Sequence, residues 1–252
     1  MVDLSYFRTG SGPPLLLLHG LGMGKVVWRP VVPLLARERE VIAIDLPGFG
    51  DSPRGPRTIE GLAHAVAGFA AGLGLERPYV AGNSLGGGIA LVMGAAGTAR
   101  SVCAVSPIGF AAGREGTYGR RVLETTRVVS KVLMPAAAPL SRSVVARTAL
   151  CSHASARPWR IPPEDAVEWT HNFARSSSFW DVLGGLDDWH APVPSCPCTV
   201  AWGDRDRLLI SSRQAPRARR AMPEARHVAL HGCGHVPMWD DPELVAQAIL
   251  SA

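Results

Sequence analysis

Three residue types that together can transfer an acyl group stand in loops of this chain: a serine, a histidine and a choice of two aspartates. Ser84 lies in Gly82-Asn83-Ser84-Leu85-Gly86, directly after the strand-like run Pro78 to Ala81 and before the helical pattern of Ile89 to Met93. So sharp a strand-to-helix turn crowds the backbone on both sides of the serine, and glycine at the flanking positions lets the chain pass. The hydroxyl then stands exposed, and the N–H of the next residue points into the same space. A serine hydroxyl is a weak nucleophile at neutral pH until a neighbouring base takes its proton. His235, in Gly232-Cys233-Gly234-His235, is a suitable base because imidazole accepts and returns a proton near neutrality. An acid to orient that imidazole is offered by Trp202-Gly203-Asp204-Arg205-Asp206. A further glycine-rich turn, His19-Gly20-Leu21-Gly22, follows the run Leu15 to Leu18.

The elements that must position these loops alternate along the chain. Short apolar runs at Leu4 to Arg8, Leu15 to Leu18, Val41 to Ile44, Tyr79 to Ala81, Val102 to Val105, Thr199 to Trp202 and His227 to Leu230 read as strands. Most are continuously apolar, as suits a parallel sheet covered by helices on both faces. Helical patterns fall between them at Trp28 to Arg39, Ile59 to Leu73, Ser84 to Ala96, Ser211 to Ala221 and Pro242 to Leu250. Asp241-Pro242-Glu243 supplies the last with an N-cap, a first-turn proline and an acid. Repeated strand-helix units predict an α/β fold with an open, mostly parallel sheet. The chemistry-bearing turns all follow strands, where open α/β sheets place their ligands.

Residues 108–192 break this rhythm. Five prolines fall between Pro135 and Pro163 and a run of aromatics between Trp159 and Trp189, with no convincing buried strand. They are expected to form a helical insertion, with residues 1–107 and 193–252 making the core and Ala191 to Ser195 the re-entry linker.

With the order Ser84, Asp206, His235 the chain resembles an α/β-hydrolase-fold serine hydrolase, from about Leu4 to the C-terminus. Asp45-Leu46-Pro47-Gly48-Phe49-Gly50-Asp51-Ser52 and His235-Val236-Pro237-Met238-Trp239 resemble two further loops of that family. The resemblance implies a nucleophilic Ser84 and a basic His235. It selects Asp206 over Asp204 through the spacing WGxxD. It assigns the oxyanion hole to the backbone N–H groups of Leu21 and Leu85, with His19 tying down the first of those loops. It makes the insertion a cap over the site, and it implies that the family's first edge strand is missing here. Serine in place of aspartate at the elbow sets the chain apart from haloalkane dehalogenases and epoxide hydrolases. The leading expectation is a carboxylic-ester hydrolase working through an acyl-enzyme on a small to medium, largely apolar substrate. The runner-up is a carbon–carbon hydrolase of the meta-cleavage type, which Asn83 and Trp239 resemble as substrate-binding positions; no cap arginine matches that group's carboxylate binder by motif, and Arg157, Arg160 and Arg175 are the candidates. A perhydrolase-like activity and a weakly catalytic small-ligand binder are further alternatives. His153, His171 and His190 are expected to line the pocket or the surface.

Bulk properties exclude other classes. The 252 residues are 47% hydrophobic and 19% charged, which is globular composition with ample core. No apolar run is long enough to span a bilayer, and the first ten residues lack a leader pattern. An odd set of five irregularly spaced cysteines predicts reduced thiols and a cytoplasmic setting, and Cys196-Pro197-Cys198 has no second pair to complete a metal site. The net charge of +5 comes almost wholly from arginine, and the cluster Arg213, Arg217, Arg219 and Arg220 reads as a solvated helix face, so no nucleic-acid partner is expected. No cofactor and no metal are expected either, and the partner is a small-molecule substrate; the pattern is silent on oligomeric state.

Overall fold

The computed structural model describes residues 3–186 and 188–252; positions 1, 2 and 187 of the expected division lie outside them. Seven strands form one sheet: β1 (Tyr6–Thr9), β2 (Pro14–Leu18), β3 (Glu40–Ile44), β4 (Tyr79–Asn83), β5 (Ser101–Val105), β6 (Cys198–Gly203) and β7 (Arg226–Leu230). Their order is β1-β3-β2-β4-β5-β6-β7, with β1 antiparallel to β3 and every other pair parallel. Each matches a run read from the sequence. The central strands are buried on both faces, Leu16 to Leu18 and Val41 to Ile44 completely, which is why those runs do not alternate. The antiparallel β1, in contrast, is largely exposed at the edge of the sheet.

Helices α1 (Val32–Leu35), α2 (Ile59–Gly72), α3 (Leu85–Ala95) and α9 (Ser211–Ala221) connect strands and α10 (Pro242–Leu250) follows the last of them, while a further group of helices lies between β5 and β6. Local chemistry starts two of them, the last as expected. Thr58 Oγ1 accepts the N–H of Gly61 at 3.1 Å to cap α2, and Asp241 accepts that of Leu244 at 3.0 Å to cap α10. The helix expected over Trp28 to Arg39 is a correction. A 3₁₀ turn at Lys25–Trp28 is followed by the single α-helical turn α1. Pro30 and Pro33 each lack an N–H, which removes two donors from any continuous ladder over this stretch.

Between β5 and β6 the chain forms α4 (Arg114–Leu133), α5 (Ala137–Arg142), α6 (Val144–Cys151), α7 (Pro163–Arg175) and α8 (Phe179–Gly184), with no strand among the described residues. The nearly buried Arg127 guanidinium holds this layer together: it donates to the carbonyl of Phe173 and, at 2.8 Å, to that of Ser176. Polar ties fasten the layer to the sheet's loops. Arg29 pairs with Asp165 at 2.7 Å and with Glu168 at 2.8 Å, and Trp189 Nε1 donates to Glu60 at 2.7 Å. The α9 arginines are a second correction. Arg217 forks onto Glu115 of α4 at 2.8 and 2.6 Å and also donates to the Phe110 carbonyl, so this face is partly an interhelical tie. No helix among the described residues is long and apolar enough to cross a membrane.

Candidate active site

The strand order reverses between β2 and β4. β2 leads to β3 on one side, while β4, which follows in sequence, lies on the other, in register from Leu15 opposite Tyr79 to Leu18 opposite Gly82. Loops leaving two such strands diverge and open a crevice at their carboxyl ends. Ser84 leaves β4 there with φ +57° and ψ −114°, a conformation that L-residues rarely adopt. The flanking glycines are sterically required. A Cβ on Gly82 would sit 2.1 Å from the Gly86 carbonyl oxygen, and one on Gly86 would sit 2.2 Å from that of Leu18. The turn is thus pressed against itself and against the end of β2. Gly20 closes the other side, since a Cβ there would meet the Ser84 Cβ at 3.3 Å.

This places Leu21 beside Ser84. Leu85 is the first residue of α3, so its N–H precedes the helical ladder and carries the positive end of the helix dipole. His19 anchors the Leu21 loop with both ring nitrogens. Nε2 accepts the N–H of Leu46 at 2.9 Å, which leaves Nδ1 to donate to the Gly20 carbonyl at 2.8 Å. Those two bonds require the neutral Nδ1–H tautomer, and complete burial pushes the pKa of this imidazole down in the same direction.

His235, in the loop after β7, is buried, and its Nδ1 lies 2.8 Å from Asp206 Oδ2 in the loop after β6. The other carboxylate oxygen of Asp206 accepts the N–H groups of Leu208 and Leu209, each at 2.9 Å. Three donors therefore hold a wholly buried acid, and His235 is left with Nε2 unengaged by the aspartate. Asp204 is separate. It is exposed, accepts the Gly232 N–H at 2.8 Å and faces the exposed His231 at 3.3 Å. The structure brings His235 to the aspartate that the spacing WGxxD selects and leaves the other at the surface.

Asn83 and Trp239, read from the sequence as substrate contacts, have other partners here. The fully buried Asn83 Nδ2 donates to the carbonyls of Val105 at 3.1 Å and His235 at 2.9 Å, tying the elbow to the histidine loop. Trp239 donates to Asp165 at 3.1 Å and stacks on Trp169 with 5.6 Å between ring centroids. Neither lines the cavities that contain Ser84. Arg157 and Arg160 both donate to the carbonyl of Asp240, at 2.9 and 2.8 Å.

Sequence reading missed Asp240. Completely buried, it accepts Ser155 Oγ at 2.6 Å and Arg157 N–H at 2.7 Å on Oδ1, and Ala156 N–H at 3.0 Å and Gly234 N–H at 2.7 Å on Oδ2. It joins the helical layer to the residue before His235. An aspartate just before a capped helix carries no sequence signal for that, because three of its four donors lie more than 80 positions away.

Two cavities meet at Ser84. A chamber of about 20 Å³ is shared by Ser84, His235, Leu21, His153 and Trp169. A cavity of about 70 Å³ runs the other way, past Leu21, Ser84 and Leu85 to Gln214 and Glu115. A larger, mainly apolar cavity of about 410 Å³ between α4, α6 and α7 shares the His153 and Trp169 wall with the small chamber. Trp169 and Trp189 line these spaces, whereas Trp159 and Trp180 are exposed, so leucines do more than tryptophans to make the site apolar. Burial, with His235 adding to it, lowers the pKa of His153 to about 4.

Residues 15–248 match the model of the alpha/beta hydrolase family. An uncharacterised protein of Mycobacterium tuberculosis is 29% identical over 259 residues, covering 92% of this chain and 73% of that one. Among solved structures, a bacterial membrane phospholipase A is 29% identical with a TM-score of 0.75, covering 99% of this chain and 84% of that one. A thermophilic esterase of Thermogutta terrifontis has the same fold, with a TM-score of 0.75 at 24% identity over 99% of this chain and 92% of that one. Fold, strand order and family model agree, and the chain belongs to the alpha/beta hydrolase family.

Proposed function

We propose that this hydrolase cleaves a carboxylic ester of a small to medium, largely apolar substrate through an acyl-enzyme on Ser84. The observation that carries the reading is one shared chamber in which Ser84, on a strained turn, meets a histidine bonded to a buried aspartate. In this mechanism His235 Nε2 takes the proton of the Ser84 hydroxyl as Oγ adds to the ester carbonyl. Asp206 keeps the proton of Nδ1 in place and stabilises the imidazolium. The N–H groups of Leu21 and Leu85 receive the oxyanion, each worth about 3 kcal/mol in a transition state. The tetrahedral adduct expels the alcohol, which leaves with the proton from His235. Water then repeats the sequence, giving its proton to His235 and its oxygen to the acyl carbon, and the acid departs as Ser84 regains a proton. Every proton and electron pair is supplied by these side chains, the ester and water. Residues 108–192 act as the cap that walls this site. The phospholipase A likeness supports ester chemistry.

The carbon–carbon reading is weaker. Asn83 is committed to two carbonyls, and Arg157 and Arg160 to a third, which leaves Arg175 alone of the arginines expected to bind a diketo acid. A fluorophosphonate probe tests the ester reading and the ligand-binder alternative together. Wild-type protein is expected to label and Ser84→Ala to stay unlabelled with an unchanged cooperative melt. A folded wild type that does not label refutes the proposal.

A further inference from the structure

We infer that the open cavity between α4, α6 and α7 holds the alcohol arm of the ester, a long apolar chain, and that His153 turns aside to admit it. The inference rests on the ester-hydrolase reading and adds the substrate class to it.

The leaving alcohol must receive its proton from His235, and His235 lines the 20 Å³ chamber but not the 70 Å³ cavity. That chamber has room for about one or two water-sized groups, enough for the alcohol oxygen and its first carbon. A longer alcohol has to pass a wall. Of the described residues lining the chamber, all but Leu123 and His153 are buried. Leu123 also lines the 70 Å³ cavity, which leaves the acyl arm on that side. His153 and Trp169 stand between the chamber and the 410 Å³ cavity, so the alcohol arm leads there.

The two wall residues are held very differently. Trp169 is buried and stacked on both sides, with 6.3 Å between its ring centroid and that of Phe173 and 5.6 Å to that of Trp239. His153 only leans its edge on Trp169, at 6.2 Å between centroids. Its Nε2 lies 3.4 Å from Thr126 Oγ1, a hydroxyl that already donates to the Val122 carbonyl at 2.9 Å. The Leu150 carbonyl is its other polar neighbour. An imidazole with a pKa near 4 is neutral at pH 7, so it swings toward the open side without stranding a charge. His153 is thus the movable half of the wall.

Beyond it the cavity suits a hydrocarbon chain. Val122, Val129, Leu133 and Leu150 form its apolar sides. The hydroxyls of Thr126 and Thr170 are turned back onto the Val122 and Ala166 carbonyls of their own helices, each at 2.9 Å. Burial pushes the Cys151 thiol up to about 12, which keeps it neutral, and Ser130 adds one further hydroxyl. Among the described residues Arg121 is the one charged side chain of this lining, and it stands at the exposed rim with Tyr118 and Thr125. An anion paired with it there would remain in water and gain little, whereas each methylene laid along the cavity gains by leaving water. At about 10–15 Å³ for a water-sized group, 410 Å³ has room to spare for eight carbons, and 70 Å³ holds about five or six.

The test compares octyl acetate with ethyl octanoate by pH-stat, each kcat/KM divided by the ester's rate with hydroxide. The two are isomers of equal apolar content and differ only in which side of the ester carries the long chain. Octanoate has seven carbons beyond its carbonyl, one or two more than the acyl cavity holds, and each methylene left in water costs a factor of about four. Wild type is therefore expected to favour octyl acetate by about 4–16-fold. Ala149 is exposed on α6 and lines the large cavity but not the chamber. Ala149→Trp fills that cavity and should bring the ratio to about one, with the fold verified by melting. His153→Ala opens the wall and should keep or raise the ratio. A wild-type ratio at or below one overturns the inference whether or not either variant folds. So does a ratio that folded Ala149→Trp leaves unchanged, and a ratio lowered in His153→Ala removes the movable wall. If Ser84 labels with fluorophosphonate and both esters turn over without preference, only the cavity is misassigned. If Ser84 does not label, the hydrolase reading falls and the inference falls with it.

Discussion

Replacing Asp240 tests how the helical layer is held against the histidine loop, and the bonding pattern predicts a rank order. The carboxylate serves four donors: Ser155 Oγ and Arg157 N–H on one oxygen, Ala156 N–H and Gly234 N–H on the other. In Asp240→Ala, Arg157 N–H keeps the Ser155 hydroxyl, 3.1 Å away, as an acceptor. The N–H groups of Ala156 and Gly234 lose theirs. At about 1–3 kcal/mol for each orphaned donor, the loss is about 4 kcal/mol. For a chain of this length that lowers the melting midpoint by about 8–16 °C. Asp240→Asn should cost less. Its oxygen can keep Ala156 and Gly234 while its amide donates to Ser155 and Arg157 N–H stays on that hydroxyl, leaving a loss of about 1–2 kcal/mol for the missing charge. Thermal and urea denaturation followed by tryptophan fluorescence gives both values. Gly234 precedes His235, so the alanine variant should also slow fluorophosphonate labelling of Ser84, measured well below its melting point. Equal losses for the two variants, or less than about 1 kcal/mol for alanine, would refute the reasoning, because four bonds to a buried carboxylate cannot be removed so cheaply.

Two further expectations concern the imidazoles and their acids. Asp206→Asn presents an amide to His235 Nδ1 and favours the wrong tautomer, so ester kcat should fall by about 10³–10⁴-fold. Asp204→Asn should leave kcat within about two-fold, because an exposed pair like that with His231 is worth little; the reverse result would reassign the acid. His153 titrates at about 4 in the folded chain against 6.5 for the free side chain, so the unfolded state binds more protons between those values. Its contribution is therefore complete above about pH 6.5 and is lost as pH falls toward 4, by at most about 3 kcal/mol. His153→Gln should flatten the acid side of the stability profile by urea denaturation at pH 4.5 and 7, and parallel profiles for variant and wild type would contradict it.

Local rules account for what could be read from the residues in order. The strands are continuous apolar runs because both faces of a parallel sheet are covered, and that pattern is complete within five residues. The glycines around Ser84 mark a backbone collision, which the sequence records as the absence of a side chain. The Asp241 cap of α10 is likewise a matter of neighbouring residues. Where the pattern misled, a local rule was outvoted by another, as at Pro30 and Pro33, which reduce a twelve-residue helical pattern to one turn.

What tertiary structure decided is every assignment whose partner is distant in sequence. The spacing WGxxD favours Asp206 over Asp204 only by resemblance, and the approach of His235 from 29 residues away gives the physical reason. Asn83 resembles a substrate contact until its amide is found on the carbonyls of Val105 and His235, the latter 152 residues on. Asp240 reads as a polar residue before a helix, and only the packed helical layer turns it into a fourfold acceptor. Side-chain type and local spacing state what a residue is able to do. Burial and the partners brought to it determine what it does, because hydrogen bonds and desolvation act across space and take no account of sequence separation.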